Sequence, residues 1–478
     1  MRCSVAIALL GATQFGWMMS EMAHLPFNNA SLCRLPHIPP GQCLLYPGHT
    51  NNEWTRQSTA WAVGGAIGAL LSICPADRFG RQRTLGLNGV IMIAGAFVQM
   101  FATDIDTFAV GRGISGIASG VAVNVLNNYL REVAPKQWRM FYMVMFQVVA
   151  AATALIVSAL FFAIPKLPTS EWHFKPLFGG PIVIGLLVLA TMRFIVESPA
   201  WLLLHQREDE AKEAMARLYV GDVQAPFAEL TESMRVQTEE VEASSSKLAL
   251  LVSSRYRVQF AIAVVLGTMQ QLAGLPAMVV YGPSIFKSVN LADLRLSNIF
   301  INFGRCWTMF IAAAVFGHKF KRRTLLMPLS LVMSVAALCF TLCQVHQNDT
   351  THWLIIACLL FFMSSYSFSI GSMGWVISTE LLPEALAPTS GAFATFGTWT
   401  AQFLIGVFFQ QISNTRHWGT QAFAIFSVIM LVFAIFAYFF VPETSNTTSM
   451  EVRALYVKDQ FTEGCNDCAE IVTPKDEV

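Results

Sequence analysis

The chain has 478 residues, of which 54% are hydrophobic and 13% charged, with a net charge of +1. That is too apolar for a soluble protein of this length and too poor in polar residues to cover a folded surface, so the chain belongs in a bilayer. The net charge says nothing about partners; the distribution of charge between the two membrane faces carries the information.

About twelve apolar runs follow one another, each roughly 18 to 26 residues long and able to cross a hydrocarbon core of about 30 Å at 1.5 Å per residue. They lie near 4–22, 56–76, 85–103, 108–130, 141–164, 177–195, 256–281, 297–317, 324–345, 352–378, 389–411 and 420–441. Cations collect after the second run (Arg78, Arg81, Arg83), the fourth (Arg131, Lys136, Arg139) and the eighth (Lys319, Lys321, Arg322, Arg323). Cationic loops stay cytoplasmic, so these loops share that side, and an even number of spans places both termini there too. The expected organisation is an N-terminal six-helix bundle over 1–200, a cytoplasmic helical linker over 201–255, a C-terminal six-helix bundle over 256–444 and a short cytoplasmic tail over 445–478.

The opposite face holds the loop from Ala23 to Thr55, with Cys33, Cys43 and a glycosylation sequon at Asn29; a second sequon stands at Asn348. These fit a secretory-pathway protein residing in the plasma membrane or a vacuolar or other endomembrane. Of the ten cysteines, only Cys33 and Cys43 look competent to form a disulfide. Cys465 and Cys468, a single C-x-x-C pair in a polar tail, read as free thiols or a lipidation site rather than a metal centre. The linker pattern is helical: Glu208 with Lys212 and Glu213 with Arg217 are spaced for ion pairs, while Ala211, Met215 and Leu218 share a face that needs a partner beneath the bundle.

Three charged motifs recur in the second half in the same order. Asp77-Arg78-Phe79-Gly80-Arg81 is echoed 241 positions on by His318-Lys319-Phe320-Lys321-Arg322, the Arg131-Glu132 motif 248 positions on around Glu380, and Glu197 246 positions on at Glu443. A duplicated set of membrane spans is a transporter architecture. The clusters sit at helix ends, where Asp77, Arg78, Arg81, Arg112, Glu132 and Arg139, with Glu197, Glu380 and Glu443, are expected to form a cytoplasmic latch that breaks when the halves part. Gly64, Gly65 and Gly68, with Gly111, Gly113, Gly116 and Gly120, place small residues at three- and four-residue spacings that let helices approach closely.

The substrate site is expected in the spans themselves. Gln270 and Gln271 are adjacent carboxamides inside the seventh span and Pro276 removes a helix hydrogen bond just beyond them, which predicts a discontinuous helix lining a polar cavity. Gln147 and Gln402 are further buried amides, and Trp375 and Trp399 lie close by in sequence. Amides both donate and accept, suiting polyhydroxylated ligands, and Trp faces suit a sugar ring. Glu21 and Arg305, ionisable residues within apolar spans, are expected to pair or else to reach the outer interface.

These residues carry a resemblance. D-R-F-G-R at 77–81, Y-L-R-E-V-A-P at 129–135, V-E-S-P-A-W-L at 196–202, Q-Q-L-A-G at 270–274 and V-P-E-T at 441–444 resemble the signature set of the sugar porter family of the major facilitator superfamily, to which the facilitative hexose transporters belong. The resemblance covers about residues 11–452 and implies an all-α fold of twelve transmembrane helices in two pseudo-symmetric six-helix bundles, with a midplane sugar site opened alternately to either side. It also implies that Gln147, Gln270, Gln271 and Trp375 contact sugar, with Trp399 the tryptophan of the eleventh span and Thr398 where the family has Asn. Other departures are Pro276 for Asn, Ser367 for an acidic residue, Ala200 and Ala387 for Arg, and His318 for Asp, so the C-terminal latch is expected to be weaker than the N-terminal one. In proton-driven members a first-span carboxylate follows F-G-Y and answers an Arg of the fourth span; here Met18 follows Phe15-Gly16-Trp17, so Arg112 is expected to lack that partner, with Glu21 as the alternative proton carrier.

The expected function is transport of a hexose or related polyol by alternating access as a facilitative uniporter, with a proton-coupled symporter and a non-transporting sugar receptor as alternatives. No span-end cluster pairs a nucleophile with a base or assembles a metal-ligand set, so no catalysis, metal or cofactor is expected. The expected partners are a small sugar and the lipid bilayer, with no nucleic acid; nothing in the sequence speaks to an oligomeric state.

Overall fold

A computed structural model describes residues 1–22, 45, 46, 48–135, 137–164, 175–278, 295–316, 321–346, 349–409, 412, 419–445 and 452. Cys33, Cys43, Asn29 and Asn348 lie outside them, as do His318 and Lys319. The spanning helices of the first half are α1 (Arg2–Ser20), α2 (Asn52–Arg78), α3 (Arg81–Phe101), α4 (Ile105–Val133), α5 (Arg139–Leu160) and α6 (Lys175–Phe194). Four shorter helices follow: α7 (Pro199–Leu204), α8 (Glu208–Leu218), α9 (Gln224–Glu242) and α10 (Lys247–Val252). The second half begins with α11 (Arg257–Met278). Next comes α12 (Arg295–Ile311), amphipathic where its neighbours are uniformly apolar. It is followed by α13 (Arg322–Val345), α14 (Thr351–Glu380), α15 (Ala387–Phe409) and α16 (Gln421–Phe440). The chain therefore forms the twelve-helix, two-bundle fold expected.

Local chemistry sets the helix ends. Glu53 and Thr50 form a reciprocal capping box before α2, the Thr50 N–H donating to the Glu53 carboxylate at 2.7 Å. Asp104 accepts the Thr107 N–H at 2.8 Å ahead of α4. Gly80, at φ 88, turns the chain into α3 and offers no capping side chain. The cap comes from Glu197, 116 residues downstream, whose carboxylate accepts the N–H groups of Arg81 at 2.9 Å and Gln82 at 3.1 Å. Glu443 does the same for α13, accepting from Arg322 at 3.0 Å and Arg323 at 3.1 Å.

Within the first half α4 packs on α2 and α3, and α1 on α5 and α6; in the second α11 packs on α14 and α15, and α13 on α14 and α16. The halves meet through two symmetry-related pairs, α2 with α15 and α5 with α12. Two devices break helices where the site is built. α11 halts at Gly274, φ +98, and restarts at Leu275 with Pro276 in its first turn, as the sequence pattern anticipates. α14 is interrupted at Ser369 before Ile370–Glu380.

The linker helices dock rather than float. Ala211, Met215 and Leu218 are buried as expected, the Tyr219 hydroxyl donates to the Val133 carbonyl at 2.9 Å, and the Trp201 indole N–H donates to the Asp77 carbonyl at 2.8 Å. The spaced pairs on α8 do not close; an ion pair forms instead between Arg207 and Glu210 at 2.5 Å.

The glycines of α2 and α4 interlock backbone to backbone. A Cβ on Gly64 would overlap the Gly113 carbonyl, one on Gly68 the Ile117 carbonyl, one on Gly116 the Trp61 carbonyl and one on Gly120 the Gly65 carbonyl. Backbone on both sides cannot yield as a side chain tip can. Gly120→Ala is therefore expected to destabilise the N-terminal bundle by about 1–3 kcal/mol, whereas Gly113→Ala, whose Cβ meets nothing nearer than 3.9 Å, leaves stability unchanged. Thermal unfolding of the two detergent-purified variants checks this; equal melting temperatures would refute the close-packing account.

Candidate functional site

Where the two broken helices face the first half, a cavity opens between the bundles. All seven residues singled out from sequence line it: Gln147 from α5, Gln270 and Gln271 from α11, Trp375 from α14, and Thr398, Trp399 and Gln402 from α15. Their states differ. The Gln270 amide N–H donates to the Ile370 carbonyl at 3.3 Å, and the Thr398 hydroxyl donates to the Gly267 carbonyl at 2.8 Å. Gln147, Gln271 and Gln402 are half-buried, and no hydrogen bond to another described residue occupies their amides. The Trp399 indole N–H is buried with no partner among the described residues.

Sequence reasoning missed the aromatic wall. Phe15, Trp61, Phe146 and Tyr366 also line the cavity. Trp61 and Trp399 meet edge to face at 4.7 Å across the two halves, with Phe15 5.6 Å from Phe146 and 6.0 Å from Trp399. Gly65 makes room for this, because a Cβ there would overlap the Trp399 ring. Phe15 and Trp61 recur on helix faces shared with ordinary core residues, so nothing in the pattern set them apart.

The intramembrane charges correct the expected pairing. Glu21 pairs not with Arg305 but with Arg112, at 2.8 Å and with both side chains buried. Arg112 therefore does have a first-span carboxylate partner, supplied three residues beyond Met18, and its guanidinium also lies 5.7 Å from the Trp61 ring. Arg305 does not reach the interface; it is 2% exposed and lines the cavity. Arg112 also leaves the helix-end network, since it lies twenty residues from Glu132 along α4, about 30 Å at 1.5 Å per residue.

The charged end of the bundles holds two matching triads. Arg81 grips Glu132 with two parallel bonds of 2.9 and 2.7 Å while Glu197 caps α3. Arg322 pairs with Glu380 while Glu443 caps α13. The expectation of a weaker C-terminal set thus fails for the triad itself, because Arg322 stands where the offset from Arg81 puts it. It holds for Ala387, the counterpart of Arg139 in the 248-residue repeat, which is buried and brings no charge. Burial pushes the Glu197 carboxyl up against its N–H bonds. Glu443 is also desolvated, but hydrogen bonds from Ser445 and the N–H groups of Arg322 and Arg323 hold it below the usual range.

Asp77 turns to the linker and binds Lys247 at 2.6 Å. Arg78 is exposed over the Phe79 ring at 5.6 Å and takes no part in the network. Contacts that cross between halves at this end come from elsewhere: Arg131 donates to the Leu382 carbonyl at 3.1 Å, Asn124 to the Pro388 carbonyl at 3.3 Å, and Arg139 lies 3.9 Å from Glu384.

The chain matches the family described as "Sugar (and other) transporter" over residues 4–456. It is 28% identical over 465 residues to solute carrier family 2, facilitated glucose transporter member 3 of Oryctolagus cuniculus, covering 94% of this chain and 91% of that protein. It is also 28% identical to the member 4 transporter of Homo sapiens, over 95% of this chain and 90% of the relative. Its fold superposes with a TM-score of 0.82 on the major facilitator superfamily proton:xylose symporter XylE bound to 6-bromo-6-deoxy-D-glucose, at 19% identity and covering 95% and 98% of the two chains. The inward open xylose transporter XylE from E. coli gives 0.70 at 20% identity, covering 94% and 98%. With the fold, the repeated triads and a match that runs almost end to end all agreeing, the chain belongs to the sugar transporter family.

Proposed function

We propose that the protein moves a hexose or a related polyol across a plasma or endomembrane by alternating access, as a facilitative uniporter with its Arg-rich end and both termini in the cytoplasm. The observation that carries this reading is the cavity at the junction of the halves, where unoccupied amides sit among tryptophan faces. Hydroxyls pair with the amides, and a ring stacks on indole. Uptake of radiolabelled hexoses, pentoses and polyols into proteoliposomes tests it; binding without uptake would mark a receptor instead.

In this reading the free amides contact substrate. Gln271→Ala is expected to weaken apparent affinity roughly tenfold, the loss of a buried hydrogen bond of about 1–1.5 kcal/mol. Gln270→Ala weakens it less, because its N–H is already spent on Ile370. Equal losses in both variants, at matched surface expression, would contradict this division.

The crossings at the charged end act as the latch on the cytoplasmic side. Removing the Arg131 bond with Arg131→Gln costs about 1 kcal/mol, roughly a fivefold shift in the closed-to-open balance. Uptake kinetics should show a fall in maximal rate with half-saturation nearly unchanged. An unaltered maximal rate would remove Arg131 from the latch.

A second reading, proton symport, is favoured by one observation: Glu21 supplies Arg112 with a buried first-span carboxylate. In the uniport reading the pair ties α1 to α4 and braces Trp61 from behind, outside the cavity. An inward pH gradient on sugar-loaded vesicles separates the two. Uniport predicts no uphill accumulation; accumulation abolished by a protonophore and lost in Glu21→Gln would establish symport.

A further inference from the structure

Asn298, Asn302 and Arg305 recur on α12 at four- and three-residue spacing, so they share one face, and all three are at least 96% buried. Asn302 donates to the Ser158 hydroxyl at 3.1 Å, tying α12 to α5. One turn on, Arg305 enters the cavity. Its Nη1 lies 3.9 Å from the Met19 sulfur, a weak acceptor, and its Nε is buried without a partner among the described residues. No carboxylate among the described residues pairs with it, since Glu21 is committed to Arg112. Among the described residues lining the cavity it alone carries a formal charge.

A guanidinium held out of water stays charged and is costly unless an anion answers it. A neutral hexose would satisfy the amides and leave that charge uncompensated whenever the cavity closes over it. A carboxylate matches the guanidinium fork with two parallel charge-assisted bonds. We propose that the cavity takes a sugar carrying one carboxylate, an aldonic or uronic acid of hexose size, with Arg305 as the carboxylate's partner and the free amides on its hydroxyls. This rests on the sugar-transport reading and narrows it.

Wild-type protein in proteoliposomes is given D-glucuronate, its neutral isostere D-glucuronamide, and D-glucose at neutral pH. The acid should half-saturate uptake at a concentration at least tenfold below the amide, about 1.4 kcal/mol. Arg305→Gln should erase that preference, and Arg305→Lys should keep part of it. Quenching of Trp61, Trp375 and Trp399 fluorescence on purified protein reads binding independently of transport. Equal handling of acid and amide by wild type, or a preference for glucose over both, overturns the proposal even if Arg305→Gln fails to fold. Uptake of neutral sugars alone sinks this inference and leaves sugar transport standing; uptake of none of the three, nor of any polyol, sinks both.

Discussion

Inside a bilayer a polar group has no water to fall back on, so each must find its partner within the protein or face a cavity. That constraint sorts the polar residues of this chain into two kinds. Arg112 with Glu21, and Arg81 with Glu132, are closed pairs, and breaking a buried pair of this kind costs about 3–5 kcal/mol. Gln147, Gln271, Gln402 and Arg305 are not closed in this way, and they converge on one space. The site is where the pairing rule is suspended.

The same rule explains the charged end of the molecule. An α-helix leaves its first N–H groups unpaired, and neither α3 nor α13 has a side-chain cap from its own first turn. Glu197 and Glu443 supply the missing acceptors from the far end of each half, closing each six-helix bundle with a bond between its third helix and its last segment. At this end the contacts that cross between the bundles are thinner: one backbone carbonyl bond from Arg131, one from Asn124 and the long Arg139–Glu384 approach.

Much of this was legible in the sequence because it rests on period and order. Apolar runs gave the helices to within a turn or two, and the repeat offsets of 241, 248 and 246 carry Arg81 onto Arg322, Glu132 onto Glu380 and Glu197 onto Glu443. Gln270 and Gln271 pointed to the cavity because they are adjacent in an apolar span and stand just before Pro276. What escaped was azimuth. Glu21 and Arg305 were matched because both are charged and both lie in spans, yet which face each presents depends on helix rotation and on where α1 turns, and these are set by packing on α4, α5 and α12. The aromatic wall escaped for the opposite reason: Phe15 and Phe146 look like every other core phenylalanine until the neighbouring helix is in place.

Gly65 has a wider meaning than close packing. Its missing side chain is the socket into which Trp399 reaches from the other bundle, and Trp399 also forms part of the cavity wall. The ring is thus both a wall of the cavity and a pin across the seam between the bundles. A change of wall shape at this point is also a change of hinge friction, so selectivity and speed are not separately adjustable there.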